Sequence, residues 1–466
     1  MSSGTNDTIA AISTPPGEGG VGIVRLSGPD ALRIAATVFA SSSGANLLAA
    51  KRQRVFHGHV TDGAGNPVDE VLLHRMPGPH SYTAEDVVEI NAHGGAVPLR
   101  AVLDAVLRAG ARLAKPGEFT RRAFENGRID LAQAEAVIDV VRARTDAALR
   151  AANAVAGGAL SRETHMLRGT LADALARVEA AVDFPEDDLP ELVDDALFSG
   201  LRVARAQMTR LLDTARAGRL YREGASVAIV GRPNVGKSSL FNALLRDTRA
   251  IVSPLPGTTR DRIEEAASIG GVPLRLVDTA GLRHTEDAIE QAGVDIARAA
   301  LREADAVLFV VDASSPLTVE DQRIADELRG ATVPVLVACN KADRVPGQPP
   351  KDAAPLPHPA PEGFQKTCPV SALTGAGLDL LEAALGAALL GGTAASETPV
   401  VSRLHQADSL RRAAECVDRA LDNRDASPEL LAFELREALT ALGEITGETT
   451  PEDLLDIIFG QFCIGK

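Results

Sequence analysis

Gly231-Arg-Pro-Asn-Val-Gly-Lys-Ser238 follows the apolar run Ser226 to Val230 and precedes a helix-forming stretch, Ser239 to Leu245. A glycine-rich turn between strand and helix aims backbone N–H groups at phosphate oxygens, and the helix N-terminus adds partial positive charge. Lys237 is spaced to reach the outer phosphates and the Ser238 hydroxyl to hold Mg2+. Working outward, Asn340-Lys-Ala-Asp343 follows the apolar run Val333 to Cys339. A carboxylate there accepts two hydrogens from N1 and the exocyclic amine of guanine, a pair that adenine does not offer. Between these lie Gly257-Thr-Thr259, a candidate switch I whose Thr259 can join the metal shell, and Asp278-Thr-Ala-Gly281. In the latter the aspartate sits at a strand end facing Mg2+ and the glycine can meet the γ-phosphate. The order and spacing match a GTPase.

The chain has 466 residues, enough for about three domains, each able to bury its own core. Hydrophobic residues make up 45% and aromatics 3%, with no tryptophan, which predicts aliphatic, helix-rich cores and few platforms for stacking bases. A formal net charge of -15 argues against nucleic-acid binding through a broad basic face. The best local patch is 98–128, with Arg100, Arg108, Arg112, Lys115, Arg121, Arg122 and Arg128, which reads either as an RNA contact or as a solvated helix face. Four cysteines (Cys339, Cys368, Cys416, Cys463) form no CxxC pair, and no run has transmembrane length, so the expectation is a reduced, cytoplasmic protein without a membrane. Cys339 and Cys368 read as core residues and Cys416 as incidental on a charged helix.

Residues 1–123 mix short strand-like runs (Thr8 to Ser13, Val21 to Leu26, Val87 to Asn91) with glycine turns and a helix near 98–109, an α+β domain. Residues 124–222 carry long Ala-rich helices, interrupted near Asp183 to Pro190. The G domain spans 223–390, with a Pro-rich surface loop at 345–361. Helical periodicity returns over 403–422, 428–443 and 450–462, so 391–466 reads as the second segment of one helical domain into which the G domain is inserted. The whole is a multidomain α/β protein. Its last helix has Thr450 as candidate N-cap, Pro451 at the first helical position and a Leu454, Ile458, Phe462 stripe, and it delivers Cys463-Ile-Gly-Lys466 at the chain end.

Further runs extend over nearly the whole length. They include Asp7-Thr-Ile-Ala, Pro15-Pro-Gly, Gly19-Gly-Val-Gly-Ile-Val-Arg25, Tyr82-Thr-Ala-Glu-Asp86 and His93-Gly-Gly95. Pro116-Gly-Glu-Phe119, Arg122-Ala-Phe124, Asp130-Leu-Ala-Gln-Ala-Glu135, Glu444-Ile-Thr-Gly447 and Phe462-Cys-Ile-Gly-Lys466 complete the set. With these the sequence resembles the MnmE (TrmE) family of GTPases, which modify the tRNA wobble uridine. The resemblance implies a folate-binding N-terminal domain that also makes a homodimer, with Arg25, Glu89, Arg128 and Lys466 at the tetrahydrofolate positions. Arg128 stands where relatives often carry Lys. It implies an FAD-containing flavoprotein partner, MnmG (GidA), a carboxymethylaminomethyl-type product at uridine C5, and a role for Cys463 near that chemistry.

For the nucleotide, the same resemblance assigns Asn234, Val235, Gly236, Lys237, Ser238, Ser239, Ser253, Gly257, Thr258, Thr259, Asp278, Thr279, Ala280 and Gly281. On the base side it assigns Asn340, Lys341, Ala342, Asp343, Ser371, Ala372 and Leu373. Leu282 stands where Ras-type enzymes place the water-orienting glutamine. The family uses a glutamate farther on, matched here by Glu290. It also implies a K+ ion held by Asn234, Ser253, Leu255 and Thr258 that neutralises charge developing on the phosphates. The alternative is a ribosome-assembly or regulatory switch GTPase of the Era or Der type, which lacks the folate-like N-terminus.

Overall fold

The computed structural model describes residues 7–49, 52–183, 193–247, 267–278, 304–345, 361, 364, 367–391, 401–424 and 427–466. They divide into two compact units.

The first unit comprises Met1–Ile138, Thr164–Arg168 and Arg436–Lys466. Its sheet uses β1 (Ile9–Ile12), β2 (Gly19–Ser27), β3 (Phe39–Ser41), β4 (Arg54–Thr61), β5 (Pro67–Met76), β6 (Val87–Gly94) and β7 (Arg112–Leu113), in the order β3-β4-β5-β6-β2-β1-β7. All pairs are antiparallel except β1 with β7. Alternation fixes the faces: Val24, Leu26, Val71, Leu73, Val88 and Ile90 point inward, where the helices Ala31–Val38 and Ala96–Arg108 cover them with Ile34, Leu99, Val102 and Val106. Intervening positions, Arg25 on β2 and Glu89 on β6, are direct cross-strand partners on the other face. A one-residue slip would bury both, so the hydrophobic pattern keeps both on this face.

The end of the chain packs in this same unit. Ile458, Phe459 and Phe462 form a core with Leu131, Ala134 and Ile138. The last helix runs Glu452–Gly460 with Pro451 at the N-cap, which corrects the expected start. The Thr450 hydroxyl donates to the Glu444 carbonyl at 3.0 Å and is drawn away from capping. Gly465 then lies at φ +96°, and a Cβ there would stand 2.4 Å from the Ile12 carbonyl oxygen, so only glycine lets the tail reach β1.

The second unit comprises Asp139–Glu163 and Gly169–Leu435. Its sheet has the order β13-β12-β11-β8-β10-β9, from β8 (Ala225–Val230), β9 (Ala267–Ile269), β10 (Val272–Asp278), β11 (Ala306–Asp312), β12 (Val335–Asn340) and β13 (Thr367–Pro369). Only β9 runs antiparallel. The near-continuous apolar runs of β8, β11 and β12 suit parallel strands covered on both faces.

Helical segments join this unit. Ala147, Ala148 and Ala151 of the helix Asp146–Ala156 share a core with Leu220, Tyr221, Val272 and Leu274. Thr145 caps that helix by accepting from Ala148 N–H at 3.1 Å, and its hydroxyl donates to the Gly271 carbonyl at 2.6 Å. The helix Asp195–Asp213 packs on Leu404–Asp422, with Arg205 donating to Asp418 at 2.8 Å, so segments from either side of the G-type sheet meet. Cys339 and Cys368 are core residues, and burial pushes the Cys339 thiol up to about 12. Cys416, read as incidental, is also buried and accepts from Arg419. Its helix turns that face inward beside Ala413 and Val417.

Candidate functional site

The phosphate loop leaves β8 and enters the helix Lys237–Asp247. Its shape is held by hydrogen bonds to its own carbonyls. Lys237 Nζ donates to the Gly231 and Arg232 carbonyls at 2.7 and 2.9 Å, placing the ammonium at the mouth of the turn. Asn340 Nδ2 donates to the Val235 carbonyl at 2.9 Å, and Lys341 Nζ to the Asn234 carbonyl at 2.7 Å. Gly236 lies at φ +94°, where a Cβ would stand 2.3 Å from Asn340 Nδ2. Asn234, at φ +64°, uses the left-handed conformation that asparagine tolerates.

The base-side residues form a second locked group. Lys341 pairs with Asp312 at 2.6 Å. Burial pulls the Asp312 carboxyl upward, and hydrogen bonds from Lys341 and Ser314 outweigh this and hold it below the usual range. Asn340 Oδ1 accepts from Ala372 N–H at 3.0 Å, and Ser371 Oγ donates to Asp343 Oδ1 at 2.6 Å. Asp343 therefore has one oxygen oriented by Ser371, which suits a carboxylate that must meet two N–H groups of guanine. Ala342 lies in the short 3-10 turn that follows. Leu373 is 83% exposed beside this group, and Ser239 follows Ser238 in the first turn of the helix. The donor set of loop, Lys237 and Ser238 at a helix N-terminus fits a nucleotide with Mg2+.

Ser253, Leu255, Gly257, Thr258, Thr259, Thr279, Ala280, Gly281, Leu282 and Glu290 lie outside the described residues, as does 346–360 of the Pro-rich segment. Asp278 is placed by its backbone, at the end of β10 in register with Ile229.

In the first unit the expected folate positions converge. Arg25 pairs with Glu89 at 2.8 Å, and its Nη1 donates to the Gly465 carbonyl at 3.3 Å, next to Lys466. Tyr82 contacts two guanidinium groups, with Arg25 5.4 Å and Arg128 5.1 Å from its ring centroid. The tyrosine hydroxyl bonds Thr120 Oγ1 at 2.9 Å, and Phe119 supports Arg25 from 5.6 Å. Neither Arg128 nor Lys466 has an acidic partner among the described residues. Arg128 at Tyr82, Lys466 next to the Gly465 that Arg25 contacts, and the Arg25–Glu89 pair together fit a ligand with a carboxylate tail and a hydrogen-bonding ring edge. Cys463 is exposed, and its carbonyl accepts from Gly117 N–H at 3.4 Å. Sequence reading passed over Tyr82 as a site residue, although it is one of only two tyrosines in an aromatic-poor chain.

The basic patch divides into paired and exposed residues. Arg122, only 3% exposed at its side chain, donates to Asp7, Glu85 and Glu118, and Arg112 pairs with Asp7 and Glu118. Arg121 is held by Glu125, Glu452 and Asp456. Near and distant acids tie these three cations into an internal network, while Arg100, Arg108, Lys115 and Arg128 stay exposed.

A family model described as MnmE helical domain matches 131–463, and one described as GTP-binding protein TrmE N-terminus matches 8–128. A tRNA modification GTPase MnmE of Chloroflexus aurantiacus is 50% identical over 466 residues, covering 99% of this chain and 100% of that protein. The protein of the same name from Geobacter sulfurreducens is 49% identical over 467 residues, covering 99% of both. Among solved structures, the G domain of T. maritima FeoB matches at 27% identity over 35% of this chain and 98% of that one, with a TM-score of 0.24.

Proposed function

We propose that this chain, which belongs to the MnmE family of tRNA modification GTPases, joins GTP hydrolysis in the P-loop unit to folate-dependent modification of the wobble uridine. The observation that carries the folate part is the convergence of Arg25, Glu89, Tyr82, Arg128 and the Gly465-Lys466 end in one unit. Arg128 and Lys466 would hold the anionic tail, and Glu89, oriented by Arg25, would accept from the pterin edge. A bound tetrahydrofolate derivative supplies the one-carbon unit. These side chains bind and orient it, and Cys463 stands on the same docked tail.

On the nucleotide side, Lys237 and the loop amides hold the phosphates, Ser238 with Thr259 holds Mg2+, and Asp343 reads guanine. Asn234, Ser253, Leu255 and Thr258 would hold K+, and Glu290 would orient water in place of the missing glutamine. The reading includes a cytoplasmic homodimer working with the FAD-containing MnmG flavoprotein, which provides the basic tRNA surface that a chain of net charge -15 lacks. Among the described residues no helix is long and apolar enough to cross a membrane.

The test is mass spectrometry of digested tRNA from a host lacking the gene. Loss of C5-modified wobble uridine, restored by wild type and by neither Lys237→Ala nor Arg25→Ala, is the expected result. An unchanged nucleoside profile would discard the modification role in favour of a switch GTPase.

A further inference from the structure

The helix Val319–Leu328 begins with a capping box in which Thr318 Oγ1 accepts from Asp321 N–H at 3.2 Å. Asp321 Oδ2 accepts from Thr318 N–H at 3.0 Å and from its hydroxyl at 2.8 Å. That same oxygen also accepts from Arg232 Nε at 3.1 Å. Asp321 is 1% exposed. A buried carboxylate is stabilised by a cation, and the one it has among the described residues belongs to the second residue of the phosphate loop. Arg232 also donates through Nη2 to Ser315 Oγ at 3.3 Å, so its side chain is held from two sides. Its own carbonyl, in turn, accepts from Lys237 Nζ.

Capping alone does not require this pair. The cap is satisfied by Thr318 and Asp321, and no part of it needs a guanidinium. What the pair adds is a fixed outer end for a loop whose inner end is already tied by Asn340 and Lys341. We infer that Asp321 is a positioning residue for the GTPase reaction, acting through Arg232 to hold the phosphate loop and the Lys237 ammonium ready for the nucleotide. A loop fixed before binding loses less conformational entropy on binding, and the nucleotide stays longer.

The experiment is stopped-flow release of methylanthraniloyl-GDP from the full chain in Mg2+ buffer. Asp321→Asn keeps shape and a capping acceptor while removing charge, and should speed release about tenfold. Arg232→Lys keeps charge and loses the fork, and should speed release about threefold. The double variant should release no faster than Asp321→Asn, within about twofold, because both changes cut the same link. Thr318→Ala weakens the cap without touching Arg232, so it should lower the melting temperature and leave release within about twofold of wild type. Unchanged release in Asp321→Asn, multiplying effects in the double variant, or equal acceleration by Thr318→Ala would each overturn the assignment.

Discussion

Lys237 makes its loop contacts to carbonyls five and six residues away, whereas Arg25 meets Glu89 64 residues along the chain and Gly465 440 residues along it. The first site is a local turn whose geometry is written into eight consecutive residues, with a few ties from β12. The second exists only when a sheet, a helix pair and the end of the chain have all been assembled. The first site depends on a few distant ties, from Asp321, Asn340 and Lys341, to a loop that is otherwise local, whereas the second is exposed to anything that moves the tail.

The largest expected effect breaks the short-range site alone. Lys237→Ala removes the cation that faces the phosphates and should lower kcat/KM for GTP by at least about a hundredfold. Binding of 5-formyltetrahydrofolate, measured by calorimetry on the same variant, should stay within about twofold of wild type. Parallel losses in both measurements would abolish the distinction between the sites. The converse change, Arg25→Ala, leaves Glu89 without its cation and should raise the folate Kd by about ten- to a hundredfold. A Kd that does not move would remove Arg25 from the binding site.

The same contrast explains what the sequence disclosed. The P-loop, Asn340 to Asp343 and the strands beneath them were legible because spacing and apolar runs carry the geometry directly. The strands Arg54–Thr61 and Pro67–Met76 were not, since His57, His59, Glu70 and His74 interleave with the apolar positions on the half-exposed sheet face and dilute the hydrophobic run. Arg112, Arg121 and Arg122 looked like part of one basic surface because several of their acids, Asp7, Glu85, Glu452 and Asp456, lie far away in sequence. Arg25 and Glu89 became candidates only through the family resemblance. Their pairing depends on the β2–β6 register, which periodicity alone does not choose.

Gly465 sharpens the comparison by moving the tail without touching a charge. Gly465→Ala places a methyl into the Ile12 carbonyl at a positive φ, costing about 1–2 kcal/mol of local strain. The folate Kd should rise about three- to tenfold as the Gly465 carbonyl leaves Arg25, with hydrolysis of GTP unchanged within about twofold. Unaltered folate binding would mean that the tail is dispensable and that Arg25, Glu89 and Arg128 suffice.

The smallest effect concerns pH. For Glu118, burial pulls the carboxyl upward, but hydrogen bonds from Arg112 and from Lys115 N–H outweigh it and leave the group below its ordinary value. Asp7 behaves alike, with burial opposed by Arg112 and Arg122. A carboxyl lowered in the folded state adds stability that is complete above its unfolded value of about 4 and is lost as pH falls through the lower, folded value. The first unit should therefore loosen on acidification below about pH 4, where the unfolded chain takes up protons that the folded network resists. Amide exchange of the helix Glu118–Glu125, followed from pH 5 down to about 3, should report that loosening. Glu118→Gln should flatten the profile by no more than about 1 kcal/mol, since Asp7 and Arg112 are each some two-fifths exposed and water screens them. Equal steepness in wild type and Glu118→Gln would show that this network, although long-range like the Arg25 site, holds no charge-dependent share of the unit's stability.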